Sequence, residues 1–272
     1  MADRQLAKAL YLTRAVDLKH YNDSFSRIYF GNEFCQRLLP TPQELRQVME
    51  FVNTNCVDFT FLTPYVTEEG LRKLAVLLQE LEREKPDSEV VFNDWGVLRV
   101  LKEKHHRLER VMGRLLNKMK RSPRLMNLLD VMPPSTQDYF QNSSLDSPLY
   151  RKFLLNSGVG RVELDNVLQG IKLNLSAPDL QASLYVPYAY ITTTRLCMTS
   201  SCDVPGKADE IGIFPCKREC RQYTFHLSHP VMPIPLISKG NTVFLKNEQM
   251  PLEGTLQESH IDRIVIEPDL PI

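Results

Sequence analysis

The sequence predicts an α/β fold, a single (β/α)8 barrel-like (TIM-barrel-like) domain, on three observations. Short apolar runs alternate with amphipathic helical stretches along most of the chain. The length, 272 residues, is close to the roughly 250 residues of one such barrel. Hydrophobic residues make up 43% and charged residues 24%, a balance that lets a chain of this size bury a core without disulfide staples. The domain is read as spanning 1–272. One stretch, 195–250, breaks the rhythm and is read as a cysteine-rich β insertion before the last strand. An open α/β sheet is the alternative architecture.

The elements follow in order. Ala9-Leu10-Tyr11-Leu12 is the first strand and Arg27-Ile28-Tyr29-Phe30-Gly31 the second. A helix then opens with Thr41 as N-cap, Pro42 at the first helical position and Glu44 three residues after the cap. Leu45, Val48, Phe51 and Val52 give that helix one apolar face, and Cys56, just past its end, is read as a small buried filler. Asp58–Leu62 is strand three. Thr67 caps a helix with Leu71, Leu74, Leu78 and Leu81 on one side. Glu89–Asn93 is strand four, and Trp95 opens a helix to about Lys104. Arg110–Gly113 is strand five. Residues 114–147 carry Pro123, Pro133 and Pro134 and are read as a loop with short helices. Pro148–Asn156 is helical, Val159–Leu164 is strand six and Ala182–Val186 strand seven. Three β candidates, 222–227, 234–238 and 242–246, fall within the insertion. Asp262–Glu267 is strand eight. The helices around the last strands look short or missing.

Several function classes drop out early. The chain carries 33 basic and 33 acidic residues, so no global charge draws it to nucleic acid or to a membrane surface. No apolar run reaches the roughly 18 residues of a membrane span. The start, with Asp3, Arg4 and Lys8, does not read as a secretory signal, and a cytoplasmic location is expected. There is no G-x-x-x-x-G-K-[ST], H-E-x-x-H or G-x-S-x-G motif. The six cysteines are then more simply reduced than paired. Four of them, Cys197, Cys202, Cys216 and Cys220, crowd into 24 residues. Iron–sulfur clusters and structural zinc both ask for about four thiolates. Cys216-x3-Cys220 suits either metal. Cys197-x4-Cys202 would complete a zinc site, whereas a cubane cluster, which tolerates distant ligands, would recruit Cys35.

A barrel of this kind builds its site at the C-terminal ends of its strands. That rule selects Cys35 after strand two, Asn93, Asp94 and Trp95 after strand four, Arg114 and Asn117 after strand five, Glu163, Asp165 and Asn166 at strand six, and the cysteines after strand seven. Asn93, Arg114 and Glu163 are the candidate catalytic, pocket-lining residues. Arg114 would hold a carboxylate or phosphate through its planar fork, and Glu163 would orient a proton or Arg114 itself. A salt bridge from Glu163 to Arg114 or Arg161 is the structural alternative. On strand six Glu163 is expected to face inward and Asp165 the opposite way. Trp95 is expected in the core, with a stacking surface for a ring as the alternative. Lys118, Lys120, Arg121 and Arg124 are read as a solvated loop, with RNA phosphate contact as the alternative. His106 and Glu109 are read as a solvated face.

These residues carry a resemblance. Tyr29-Phe30-Gly31-Asn32-Glu33-Phe34-Cys35 resembles a strand–Gly–x–x–x–Cys element of the collagenase-like peptidase family U-32. The segments Asn93–Leu98, Gly113–Asn117 and Arg161–Asn166 resemble its strand ends, and Thr194-Arg195-Leu196-Cys197 with Cys216-x3-Cys220 resembles its cysteine signature. The single-barrel length and the early cysteine are most similar to the iron–sulfur proteins of oxygen-independent ubiquinone hydroxylation (UbiV/UbiU type). The resemblance covers roughly residues 25–267. It implies a [4Fe–4S] cluster held by Cys35, Cys197, Cys216 and Cys220, with Cys202 as the alternative to Cys197. It also implies hydroxylation of a quinone precursor or an RNA base under anaerobic conditions. A small aromatic substrate or RNA would be the ligand, and a second U-32 protein a heterodimer partner. A non-catalytic, cluster-bearing subunit is the second reading. A peptidase is the third, although the sequence offers no assembled nucleophile motif for it.

Overall fold

Eight parallel strands close into a barrel in the computed structural model, which describes residues 6–173, 180–207 and 215–272. In chain order the strands are β1 (Ala7–Leu12), β2 (Arg27–Gly31), β3 (Asp58–Leu62), β4 (Glu89–Phe92), β5 (Glu109–Met112), β6 (Val159–Asp165) and β7 (Gln181–Val186). Then come β8 (Tyr188–Thr193), β9 (Phe225–Leu227), β10 (Leu236–Lys239), β11 (Thr242–Lys246) and β12 (Ile261–Ile266). Strands β1 to β7 and β12 form the barrel, and β12 closes it by pairing with both β7 and β1. The expected closed barrel is therefore the architecture, not the open sheet. The first five residues, on which the signal-peptide expectation bears, and 208–214 in the cysteine stretch lie outside the described residues.

The helices form where their signals stand. In α1 (Pro42–Thr54) the Thr41 hydroxyl accepts from the Glu44 amide, and the Glu44 carboxylate accepts in return from the Thr41 amide at 2.8 Å. In α2 (Glu68–Glu84) Thr67 caps the first turn, and Leu74, Leu77, Leu78 and Leu81 are buried. In α3 (Trp95–Lys104) the Asp94 carboxylate accepts from the Gly96 amide at 2.7 Å. Two shorter helices, α4 (Pro134–Gln141) and α5 (Pro148–Asn156), lie between β5 and β6, and α6 (Glu253–Glu258) precedes β12. The apolar outer faces of the strands pack against this partial ring: Ile28, Phe30, Phe61, Val90, Phe92 and Leu164 are all without exposed surface.

Two sequence expectations change here. The insertion starts earlier than residue 195, because β8 runs from Tyr188 to Thr193 and joins a four-stranded antiparallel sheet in the order β8-β11-β10-β9. Cys56 is exposed and is not core filler. It sits just past the end of α1 at φ 53°, the left-handed conformation that ends many helices, and that turn carries its side chain outward.

Inside the barrel the filling is polar at both ends and aromatic in the middle. Tyr11 and Tyr29 each meet the Tyr185 ring edge-on, with centroids 6.0 Å apart. Toward the N-terminal end of the strands, Arg263 grips Glu89 with two bonds of 2.6 and 3.0 Å, and Arg161 pairs with Asp262 at 2.6 Å. Burial alone would raise the Glu89 pKa, but the Arg263 contact and the neighbouring Arg27 and Arg161 outweigh it and hold the carboxyl down at about 2. The opposite end of the barrel carries a second ion network, at the candidate site.

Candidate functional site

Arg114 follows β5 and has no exposed surface. Its Nε donates to Glu33 at 2.9 Å, Nη1 to Asp165 at 3.2 Å and to the Tyr188 carbonyl at 3.0 Å, and Nη2 to Glu267 at 2.7 Å. The guanidinium lies over the Tyr185 ring, 4.0 Å from its centroid. Arg114 is thus saturated by the chain's own acceptors and does not line a pocket as the sequence suggested. Arg121 joins the same network by donating to Asp165 at 2.6 Å and is nearly buried, so it is no part of a solvated loop. Two arginines face three carboxylates. Burial pushes Glu267 up to about 8 and also raises Glu33, while Arg114 pulls both back.

Glu163 does not reach Arg114. It sits deeper, against the aromatic layer, where its carboxylate accepts from the Tyr29 hydroxyl at 3.1 Å, while its other oxygen has no hydrogen-bond partner. Neither expected ion pair takes it, since Arg161 is spent on Asp262 and Glu89. Burial holds Glu163 up to about 7. Asp165 points inward beside it, because residues two apart on a strand share a face. Asn93 is a clamp: its Nδ2 donates to the Thr63 carbonyl at 3.0 Å and its Oδ1 accepts from the Leu115 amide at 3.1 Å. It thereby ties the ends of β3, β4 and β5 together. Trp95 is 43% exposed and packs against Phe92, Tyr150 and Phe153, away from the mouth. His106 and Glu109 are exposed, as expected.

The cysteines come together. Cys35, Cys197, Cys216 and Cys220 line one cavity of about 80 Å³, and Cys202 is not among its lining residues. Local backbone explains the placement of Cys35. Gly31 ends β2 at φ 134°, where a side chain would run into the Leu62 carbonyl, and the Asn32 side chain then accepts from the Phe34 and Cys35 amides at 3.0 and 2.8 Å. Cys220 rests on a short helical turn above Gly240, within an apolar cluster with Phe34, Phe244 and Ile272. Burial raises the Cys35 thiol pKa and pushes Cys220 up to about 12, and in each case the other thiols add to the effect. Such thiols keep their protons until a cation draws them off.

The spacing of the thiols bears on the two metal alternatives. A tetrahedral zinc with Zn–S of about 2.3 Å needs its sulfurs within roughly 4 Å of each other. No three of these thiols fall within 4.8 Å of one another. Among the described residues only Asp17, His20 and Asp269 do so, and Asp17 is already engaged by Arg14 at 2.8 Å. The cavity between the thiols has several times the roughly 10–15 Å³ that a single water needs. Four thiols facing a space of that size fit a multi-atom thiolate-bound guest better than one ion. Arg195, Glu219 and Asn241 also line the cavity and were not foreseen. Arg195 stood beside Cys197 in the cysteine signature, and Asn241 in the Lys239-Gly240-Asn241 turn; Glu219 lies inside Cys216-x3-Cys220.

A second, larger cavity of 710 Å³ opens beside it at the C-terminal ends of β3, β4 and β5. Tyr65 lies between the two. It lines the larger cavity, and its hydroxyl donates to the Thr194 carbonyl and accepts from Asn241, each at 2.8 Å. Nothing in the sequence around Tyr65 marked it. No helix among the described residues is long and apolar enough to cross a membrane.

No protein-family model matches the chain, and no curated protein sequence matches it. Among solved structures it is similar to the U32 peptidase Mk0906, at 11% identity and a TM-score of 0.47, over 99% of this chain and 95% of that one. It is also similar to an immunomodulatory active chitinase from Trichuris suis, TsES1, at 9% identity and a TM-score of 0.39, over 96% of this chain and 91% of that one. The assignment of the fold rests on the strand order itself, eight parallel strands closed into a barrel with helices outside it.

Proposed function

We propose that this barrel binds a [4Fe–4S] cluster through Cys35, Cys197, Cys216 and Cys220 and serves in an oxygen-independent hydroxylation, as its resemblance to the U-32 iron–sulfur proteins implies. The observation that carries the first half is the shared cavity: Cys35 and three cysteines from one much later segment line one space, and no three of their sulfurs lie within 4.8 Å of one another. A cluster bound there supplies one-electron redox chemistry. The chain's own residues hold and shield it. Phe34, Phe244 and Ile272 pack beneath the cysteines and keep water out, and Arg195 brings positive charge beside the thiols. Tyr65 and Asn241 form the wall between that space and the larger cavity, where a substrate would sit.

The test is a set of single variants prepared without oxygen. Cys35→Ala, Cys197→Ala, Cys216→Ala and Cys220→Ala should each lose iron and the broad thiolate-to-iron absorption, while Cys56→Ala and Cys202→Ala keep both. Normal iron in Cys35→Ala together with loss in Cys202→Ala would return the site to the local four-cysteine set, Cys197, Cys202, Cys216 and Cys220.

A second reading is favoured by a different observation. Arg114 and Glu163, expected to touch substrate, are sealed inside the barrel. A cluster-bearing subunit that works beside a second U-32 protein needs no acid or base of its own at the mouth. Complementation of anaerobically grown cells lacking the protein distinguishes the two. A catalytic subunit fails when the larger cavity is filled by Thr192→Trp, and an accessory subunit tolerates it.

A further inference from the structure

The larger cavity has a charge bias that the whole chain lacks. Lys118, Lys120, Arg121 and Arg124 line it, and none of its described lining residues is Asp or Glu, although basic and acidic residues are equal in number overall. Two donors of the lining residues are also left over. Asn117 Nδ2 and Arg121 Nε are buried and have no hydrogen-bond partner. Asn117 has no exposed surface and Arg121 only 8%. Unpaired buried donors are rare, so two behind one wall make it a wall that favours an acceptor. Arg121 is held in place for such a role: Asp165 takes Nη2 at 2.6 Å, and the Tyr190 ring lies 4.1 Å from the guanidinium carbon. The remaining lining is uncharged, with aromatic and apolar surface from Tyr65, Leu115, Tyr190 and Met232 beside the polar Asn93, Ser122, Thr192 and Thr193.

We propose that the barrel mouth is the binding site of a small ring compound that bears an oxyanion, either a carboxylate or a phosphate ester. The oxyanion meets the rim cations Lys120 and Arg124 and the accessible edge of Arg121, with the buried Asn117 amide behind them, and the ring lies against Tyr65, Tyr190 and Met232. The inference deepens the hydroxylation reading by naming its substrate class. Binding is measured without turnover, so a chain that lacks the cluster and still binds the anion would overturn the reading of function and leave this one standing.

The experiment is calorimetric titration of the anaerobically prepared chain, its iron content recorded, with benzoate, phenyl phosphate, the neutral isostere benzamide and a mixed-sequence single-stranded oligoribonucleotide. Benzoate or phenyl phosphate should bind saturably, and benzamide about tenfold or more weakly, since a site built around donors rejects a ligand without the matching charge. A preference between the two anions identifies the carboxylate or the phosphate source. The rim variant K120E/R124E changes two exposed side chains and should weaken the preferred anion by about tenfold or more at unchanged thermal stability. Equal binding of benzamide, an unaffected rim variant, or no saturable binding of either anion overturns the proposal. Binding of the oligonucleotide alone overturns it too and assigns the face to nucleic acid.

Discussion

Glu163 shows how a buried acid turns into a property of the whole fold. It has no exposed surface, one of its oxygens has no partner, and burial holds it up to about 7. An acid whose pKa is higher folded than unfolded takes up protons on folding, so its contribution is full below the unfolded value and is lost as pH rises through the folded one. Glu267, pushed up to about 8 by burial among Glu33 and Asp165, acts in the same direction. Glu89, held down at about 2, loses its contribution only in acid, outside this window. Stability measured by urea unfolding should therefore fall between about pH 5 and pH 8, and Glu163→Gln should flatten the part of that fall near pH 7. An unchanged slope in Glu163→Gln would mean that the carboxyl titrates normally. At this scale the sequence was partly legible. Strand-end position marked Arg114 and Glu163 as unusual, but the partners of Arg114 lie 81 residues away at Glu33 and 153 away at Glu267. No local pattern names a partner at that distance, and so a structural knot read as a pocket.

Local rules did best where one element carries its own signals. The capping box of α1 and the cap of α2 are formed by the residues that the sequence marks, Thr41 and Thr67, and α3 opens at Trp95 as expected, capped by Asp94, which the sequence marks only as a strand-end residue. They failed at β8. Pro187 alone joins it to β7, too short a connection to read as a loop between two strands, and its partner β11 lies on the far side of the cysteine segment. Cys56 was misread for a related reason: its position after α1 suggested burial, while the left-handed turn that directs it outward leaves no mark in a cysteine. That turn gives a prediction at the same scale. A non-glycine residue in this conformation costs about 1 kcal/mol, and Gly is the usual occupant after a helix end. Cys56→Gly should raise stability by about 0.5–1 kcal/mol in urea unfolding and leave any bound iron unchanged. A destabilised variant would mean that the Cys56 side chain has a contact that matters more than backbone strain.

For the whole molecule, the barrel sets two cavities side by side at the C-terminal ends of its strands, one lined by thiols and one by cations, with Tyr65 and Asn241 between them. The closed barrel was legible because the strand rhythm is a strong signal, whereas the set Cys35, Cys197, Cys216 and Cys220, which line one cavity, was singled out by the family resemblance, since spacing alone left Cys202 in the choice. The cationic cavity was not legible, since its walls come from β3, β5 and the inserted sheet, and its four basic residues read as an ordinary solvated loop. The account turns on what the thiol cavity holds. Iron, acid-labile sulfide and zinc measured together on chain purified and reconstituted without oxygen test it most directly. The account predicts about four irons and four sulfides per chain and no zinc. A colourless chain with one zinc and no sulfide would contradict it.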